Sequence, residues 1–524
     1  MRRLLVALAA LIATPATAEW REASSEHFVI YADSNEPWLR GFADRLERYD
    51  AALRYLRSMA TPPGAASNRL TIYVVPGTDA VARLCGAGCA NVAGFYVPRA
   101  GGSIAFTPRA TGSFDDTFNA DIVLFHEYAH HLMLENFAAA YPRWFVEGFA
   151  EFNSTAKVLP DGGVQIGKAA QHRAYALVAA TLLPIATLLD GSKVALTGEQ
   201  TDVFYGRAWV LTHMLTFDPA RAGQLSTYLT LINQGKSSVA AAESAFGDLR
   251  KLSHDMDLYV KRPTLSALTI AAARIKVAPI TIRPLGPGEA ATMAVRMRSD
   301  RGVSREAAGI LVREARNRAA AFPGDAAAQA VLAEAEYDAG DDMACEAAAD
   351  RALAADAKNR DALLYKGQAR LRRAAIAKAT DPKVWREARS WLVKANRLDP
   401  DAAEPLLLYY TSFQAAGERP SDSAVDGLYR AFELSPHDAG LRLLLVQRML
   451  LDDKPKQART LLLPLAYDPH AAPNNPALKL IALIDSGMTG PAIATAGDAT
   501  GKQADTKDGQ GDGQGDGRGG GKTD

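Results

Sequence analysis

His126 and His130 stand four positions apart, so on a helix their imidazoles share one face, one turn from each other. At that spacing both can hold a single ion at about 2.0–2.1 Å. Glu127 neighbours the first of them and falls beside the ion rather than on it, where a carboxylate can take a proton from metal-bound water. Ile122, Val123, Phe125, Ala129, Leu132 and Met133 give such a helix an apolar surface to bury. His131 points about 100° away from His130 and reads as structural.

Shortly downstream, the helical stretch from Pro142 to Phe152 carries Glu147 and Glu151, again four apart, and one of them can be the third ligand. Two neutral imidazoles and one carboxylate would leave zinc a net positive charge and an open fourth position, the arrangement of catalytic rather than structural sites.

The phrase Trp144-Phe145-Val146-Glu147-Gly148-Phe149-Ala150-Glu151, following His126-Glu127-Tyr128-Ala129-His130, resembles the gluzincin zinc peptidases, and most closely the small bacterial peptidase MA-like domains. The resemblance implies Zn2+ as cofactor, held by His126, His130 and Glu147. It implies that Glu151 accepts the other ring N–H of His126, and that peptide bonds are hydrolysed with Glu127 as general base. Tyr205-Gly206-Arg207-Ala208 looks like the Tyr-x-Lys-Gly phrase of the aminopeptidase branch, which makes Tyr205 the expected donor to the oxyanion, although Arg207 and Ala208 depart from that phrase. His172 and His213 are rivals for that role, read as ordinary core or surface histidines. No Gly-x-x-His follows His130, so a three-histidine site is excluded. A Gly-Ala-Met-Glu-Asn phrase for gripping a substrate N-terminus is also missing, and Gly102 to Phe106 is expected instead as an edge strand that pairs with an extended peptide. Endopeptidase action follows more readily than aminopeptidase action.

The elements that must hold this site give an α+β class. His27–Tyr31, Leu70–Val75 and Ser103–Phe106 are β-rich runs, and Leu39, Phe42, Leu46, Tyr49, Leu53 and Leu56 recur at helical spacing behind Pro37. We expect a signal peptide over 1–18, a small α/β subdomain over 19–115 and a helical zinc-peptidase subdomain over 116–275. A Pro/Gly-punctuated linker follows over 276–303, then helical repeats over 304–486 and a disordered tail over 487–524. Turn signals at Pro323-Gly324-Asp325, Lys358-Asn359, Asp399-Pro400-Asp401, Ser435-Pro436-His437 and Asp468-Pro469-His470 recur at a period of about 34 residues, stretched once by an insertion around Ala379–Pro382. That period with paired helices is similar to tetratricopeptide repeats, which implies a protein partner or a bound protein substrate.

Of 524 residues, 59 are Lys or Arg and 59 Asp or Glu, so no overall field favours nucleic acid or an anionic membrane. Arg2-Arg3, the apolar run from Leu4 to Ala13 and Ala16-Thr17-Ala18 read as an export signal cleaved after Ala18, with a periplasmic or secreted product and no integral membrane segment. Cys85 and Cys89 are expected to form a disulfide there, and Cys345 to pack as a small buried hydrophobe. Two rival readings are a zinc-bearing scaffold without turnover, whose repeats bind envelope proteins, and a hydrolase acting on a non-peptide amide.

Overall fold

The computed structural model describes residues 19–62, 64–86, 89, 92–110, 119–136, 139–178, 181, 183–190, 196–467 and 475–494. The expected signal peptide and most of the expected tail lie outside them. β-Branched and aromatic residues build β1 (Trp20–Ser24), β2 (Phe28–Asp33), β3 (Leu70–Gly77), β4 (Phe95–Val97) and β5 (Ile104–Ala110). Together with β9 (Thr281–Pro284), far along the chain, they form one sheet in the order β4-β5-β3-β2-β1-β9. β2, β3 and β5 run parallel, while β1 and β4 are antiparallel to their neighbours.

Alternation along the strands divides the sheet's faces. Phe28, Ile30, Ile72, Val74 and Ala105 face a large core shared with α1 (Glu36–Leu56), whereas Tyr31, Tyr73, Val75, Ile104 and Phe106 face a second core that includes Val81 of α2 (Thr78–Cys85). Helix α1 starts where Asn35 accepts from the Trp38 N–H at 3.0 Å, with Pro37 in its first turn. Cys85 and Cys89 are joined by a disulfide, and Cys345 is buried and free.

The next layer is helical: α3 (Ala120–Asn136), α4 (Arg143–Ser154), then the short strands β6 (Lys157–Val158) and β7 (Val164–Ile166). Helices α5 (Ala174–Val178), α6 (Ile185–Leu189), α7 (Gly198–Phe217), α8 (Gln224–Asn233), α9 (Ser238–Phe246) and α10 (Leu249–Tyr259) follow. β8 (Leu268–Ile270) closes a small sheet with β7 and β6.

The array begins with α11 (Pro287–Arg301) and α12 (Arg305–Ala319). Four helix pairs stack after them: α13 (Ala326–Ala339) with α14 (Asp342–Ala355), α15 (Arg360–Ile376) with α16 (Pro382–Leu398), α17 (Ala403–Ala415) with α18 (Asp422–Leu434), and α19 (Ala439–Leu451) with α20 (Pro455–Ala466). Helix α21 (Pro476–Asp485) ends the series. Each pair opens at one of the turns recognised in the sequence, and Asp325, Asn359 and Asp438 cap the helices they precede. Buried alanines such as Ala348, Ala352, Ala388, Ala395, Ala424 and Ala431 let the helices approach closely. Among the described residues no helix is long and apolar enough to cross a membrane.

Three expectations need correction. The stretch 276–303 is not a free connection: β9 pairs antiparallel with β1, and α11 buries Met293 and Met297 against the sheet. Pro284 ends the strand and Pro287 opens the helix, places where a missing N–H costs little. The edge strand expected over Gly102–Phe106 is instead the start of the interior strand β5, which begins at Ile104, because Phe95–Val97 pairs outside it and takes the edge. Within the expected tail, residues 490–494 are helical and Ile493 is buried against α19–α21.

Helix α4 crosses α7 at Gly148, where an added Cβ would collide with Thr212 Oγ1 and stand 2.6 Å from the Ala208 carbonyl oxygen. Gly148→Ala is therefore predicted to cost about 1–3 kcal/mol of stability through overpacking, read as a lower urea midpoint. An unchanged midpoint would contradict so close a crossing.

Candidate metal centre

Helix α3 is fixed from behind before it presents anything to a ligand. Tyr49 of α1 donates to the Phe125 carbonyl at 2.9 Å, and Tyr128, inside the His-Glu-x-x-His segment, donates to Asp50 at 2.5 Å. Asp50 also accepts from Arg54 at 2.8 Å, and His27 joins Glu47 at 2.8 Å and Thr61 at 3.1 Å. His27, Glu47 and Asp50 lie close enough together to suggest a second metal site. Their ligand atoms are already engaged, and the Arg54 guanidinium beside Asp50 opposes a further cation, so this cluster serves as a buried brace.

The other face of α3 carries His126 and His130, whose Nε2 atoms lie 3.0 Å apart. Glu147 Oε2 stands 3.5 Å from the first and 3.4 Å from the second, and this carboxylate is fully buried. Ligands at about 2.0–2.1 Å from one tetrahedral ion are separated by about 3.3–3.4 Å, so the triangle fits zinc in both size and donor type. Glu127 is half-buried on the same helix, beside His126.

Glu151, one turn along α4 and also buried, takes His126 Nδ1 at 3.2 Å. With Nδ1–H donated there, the Nε2 lone pair is left for the ligand position. Glu151 further accepts from His172 Nε2 at 3.0 Å and from Arg173 at 2.7 and 3.2 Å. Burial works against its charge, but Arg173 and the bonds from His126 and His172 outweigh that and hold its carboxyl well below the usual range. For His126, burial opposes protonation, while Glu147 and Glu151 outweigh it and push the imidazole pKa up to about 10.

Tyr205, on α7, places its ring centroid 6.0 Å from that of His126, under the Arg173 guanidinium. His172 is thus brought to the site, but on Glu151. His213 is consumed in the core: its ring bonds to Tyr259 at 2.8 Å and to the Gly167 and Ser266 carbonyls at 2.9 Å. Arg207 pairs with Asp257 and Ser253. His131 meets Tyr96 of β4 at 2.7 Å and stacks edge-on against His437 of the array. Sequence reasoning missed Arg173 altogether, since it lies 22 residues beyond Glu151 with no motif of its own.

No protein-family profile matches the chain, and no curated protein matches it. Two solved structures that do match are a thermophilic TPR protein, TTC0263 of Thermus thermophilus, and MamA. The first is 19% identical and covers 38% of this chain and 96% of its own, with a TM-score of 0.28. MamA is 14% identical over 42% of this chain and 98% of its own, with a TM-score of 0.24. The stacked helix pairs from α13 to α20 make the C-terminal half a helical-repeat array.

A zinc ion held at His126 would have to displace a proton, which the raised pKa favours. Apparent zinc affinity should therefore fall as pH falls, by about tenfold per unit for each proton displaced. Chelator competition between about pH 6 and pH 8 measures this. An affinity flat across that interval would contradict the assignment of His126 as a ligand.

Proposed function

We propose that the chain is an exported zinc-dependent peptidase, a reading carried by the triangle of His126 Nε2, His130 Nε2 and Glu147 Oε2 with Glu127 beside it. It agrees with the gluzincin resemblance of the two motifs. Zinc held by these three residues would supply Lewis acidity, polarising a carbonyl and acidifying water.

The remaining work falls to the chain. Glu127 takes the proton of the attacking water and passes it to the leaving amine. Tyr205, held on α7 beside His126, donates to the oxygen that becomes negative. Glu151, with four donors around it, orients His126 and takes no proton in the reaction. An extended peptide pairs with the sheet edge at β4, whose Tyr96 touches His131 next to the last ligand. The array is assigned to binding a protein partner or substrate, and export to the leader-like residues 1–18.

The test is zinc content together with cleavage of a peptide library. Glu127→Gln should keep about one zinc per chain and lose about 10²–10⁴-fold in kcat/KM. Tyr205→Phe should lose about 10²–10³-fold, mostly in kcat. A wild-type chain that binds no zinc would sink the proposal, and zinc bound without cleavage would favour the scaffold reading.

A further inference from the structure

We infer that Arg173 is the positioning residue of this site, one guanidinium that fixes both the carboxylate behind His126 and the ring of Tyr205. The inference rests on the metal-site reading above.

Arg173 grips Glu151 at two points, Nη2 to Oε1 at 2.7 Å and Nε to Oε2 at 3.2 Å. That planar fork defines the carboxylate plane in a way a single ammonium cannot. Its Nη1 bonds to Asp202, which lies one turn before Tyr205 on α7, so the same side chain also sets where that helix sits. Its guanidinium carbon lies over the Tyr205 ring, 5.0 Å from the centroid. Tyr205 in turn lies 6.0 Å from His126, ring to ring. The four side chains His126, Glu151, Arg173 and Tyr205 close a loop in which every link is a direct contact.

The approach that makes this loop possible is tight. A Cβ on Gly206 would stand 3.1 Å from Leu177 and 3.6 Å from Arg173 Cβ, so α7 reaches the segment carrying Arg173 because residue 206 has no side chain. On the other side of Glu151, His126 Nδ1 and His172 Nε2 take up the remaining acceptor positions. The carboxylate cannot turn without breaking contact with the ligand histidine, and Arg173 is the group that stops it turning.

The experiment compares the full mature chain with Arg173→Ala, Arg173→Lys, Tyr205→Phe and the Arg173→Ala/Tyr205→Phe pair. Zinc affinity is read by chelator competition, and kcat and KM of the zinc-saturated proteins on one peptide substrate. We expect Arg173→Ala to bind zinc about 10–100-fold more weakly and, when saturated, to lose kcat far more than KM. The double variant should lose no more kcat than the worse single one. Arg173→Lys, which keeps the charge without the fork, should restore part of the zinc affinity and little of kcat.

A folded Arg173→Ala that holds zinc like the wild type would overturn the inference, as would kcat losses that multiply independently. If Arg173→Ala does not fold, Arg173→Lys decides alone, and wild-type values for it overturn the inference. A wild type without zinc removes the metal-site reading and this inference together, whereas normal zinc binding and cleavage with unmoved variants removes the inference only.

Discussion

Two carboxylates buried one turn apart on a single helix set the terms for everything around them. Glu147 and Glu151 sit among Trp144, Phe145, Phe149 and Phe152, none of which offsets a negative charge. Removing one ion from water costs several kcal/mol even after relaxation, so the fold has to bring positive charge and donors to α4. It does so on two sides. Arg173, His172 and His126 Nδ1 converge on Glu151, while the Nε2 edges of His126 and His130 converge on Glu147. Two imidazoles hold less charge than a divalent ion, and the three atoms they form with Glu147 are spaced for one.

Holding imidazoles at such spacing requires a helix that cannot roll. Three sides of α3 are engaged. Tyr128 points away from the ligand face and ends on Asp50, inside the brace of His27, Glu47 and Arg54. His131 meets Tyr96 on the sheet edge and His437 on the array, and the third side carries His126 and His130. The brace is a fully bonded polar network in a dry interior, the kind that fixes one arrangement and penalises any slip of the helix.

How much of this was legible follows from how local each relation is. The pairs His126/His130 and Glu147/Glu151 are one-turn spacings, so sequence alone put each pair on one helical face. Strands β2, β3 and β5 and the turns ahead of α13, α15, α17 and α19 were legible for the same reason: alternation and Asp, Asn or Pro punctuation act over a few residues. What the sequence concealed was pairing across distance. β9 looks like a connector because its partner β1 lies at the other end of the domain, joined at Arg21↔Pro284 through Ser24↔Thr281. The edge position of β4 depends on which strand ends up outside β5, and the meeting of Arg173 with Glu151 depends on the hairpin of β6 and β7 turning the chain back toward α4. None of these leaves a periodic trace.

The turns that reveal the repeat also fasten it to the N-terminal half. Asp438 uses one carboxylate oxygen to cap Leu441 at 2.7 Å and the other to accept from the Ala100 N–H, also at 2.7 Å. Asp399 accepts from Ser67 at 2.7 Å, and the Asp401 carbonyl accepts from Asn68 at 2.7 Å. The Asp438 carboxylate that caps a helix keeps a spare acceptor on a rigid mount, and the loop at Ala100 occupies it, while the loop around Asn68 bonds to the turn ahead of α17. Since α11 is packed on the sheet and these turns are bonded to its loops, the array is built into the frame that carries α3 rather than tethered to it. Anything held along the helix pairs is then held at a set position relative to His126, His130 and Glu147, and the short path from His437 through His131 to the ligand helix is part of that frame.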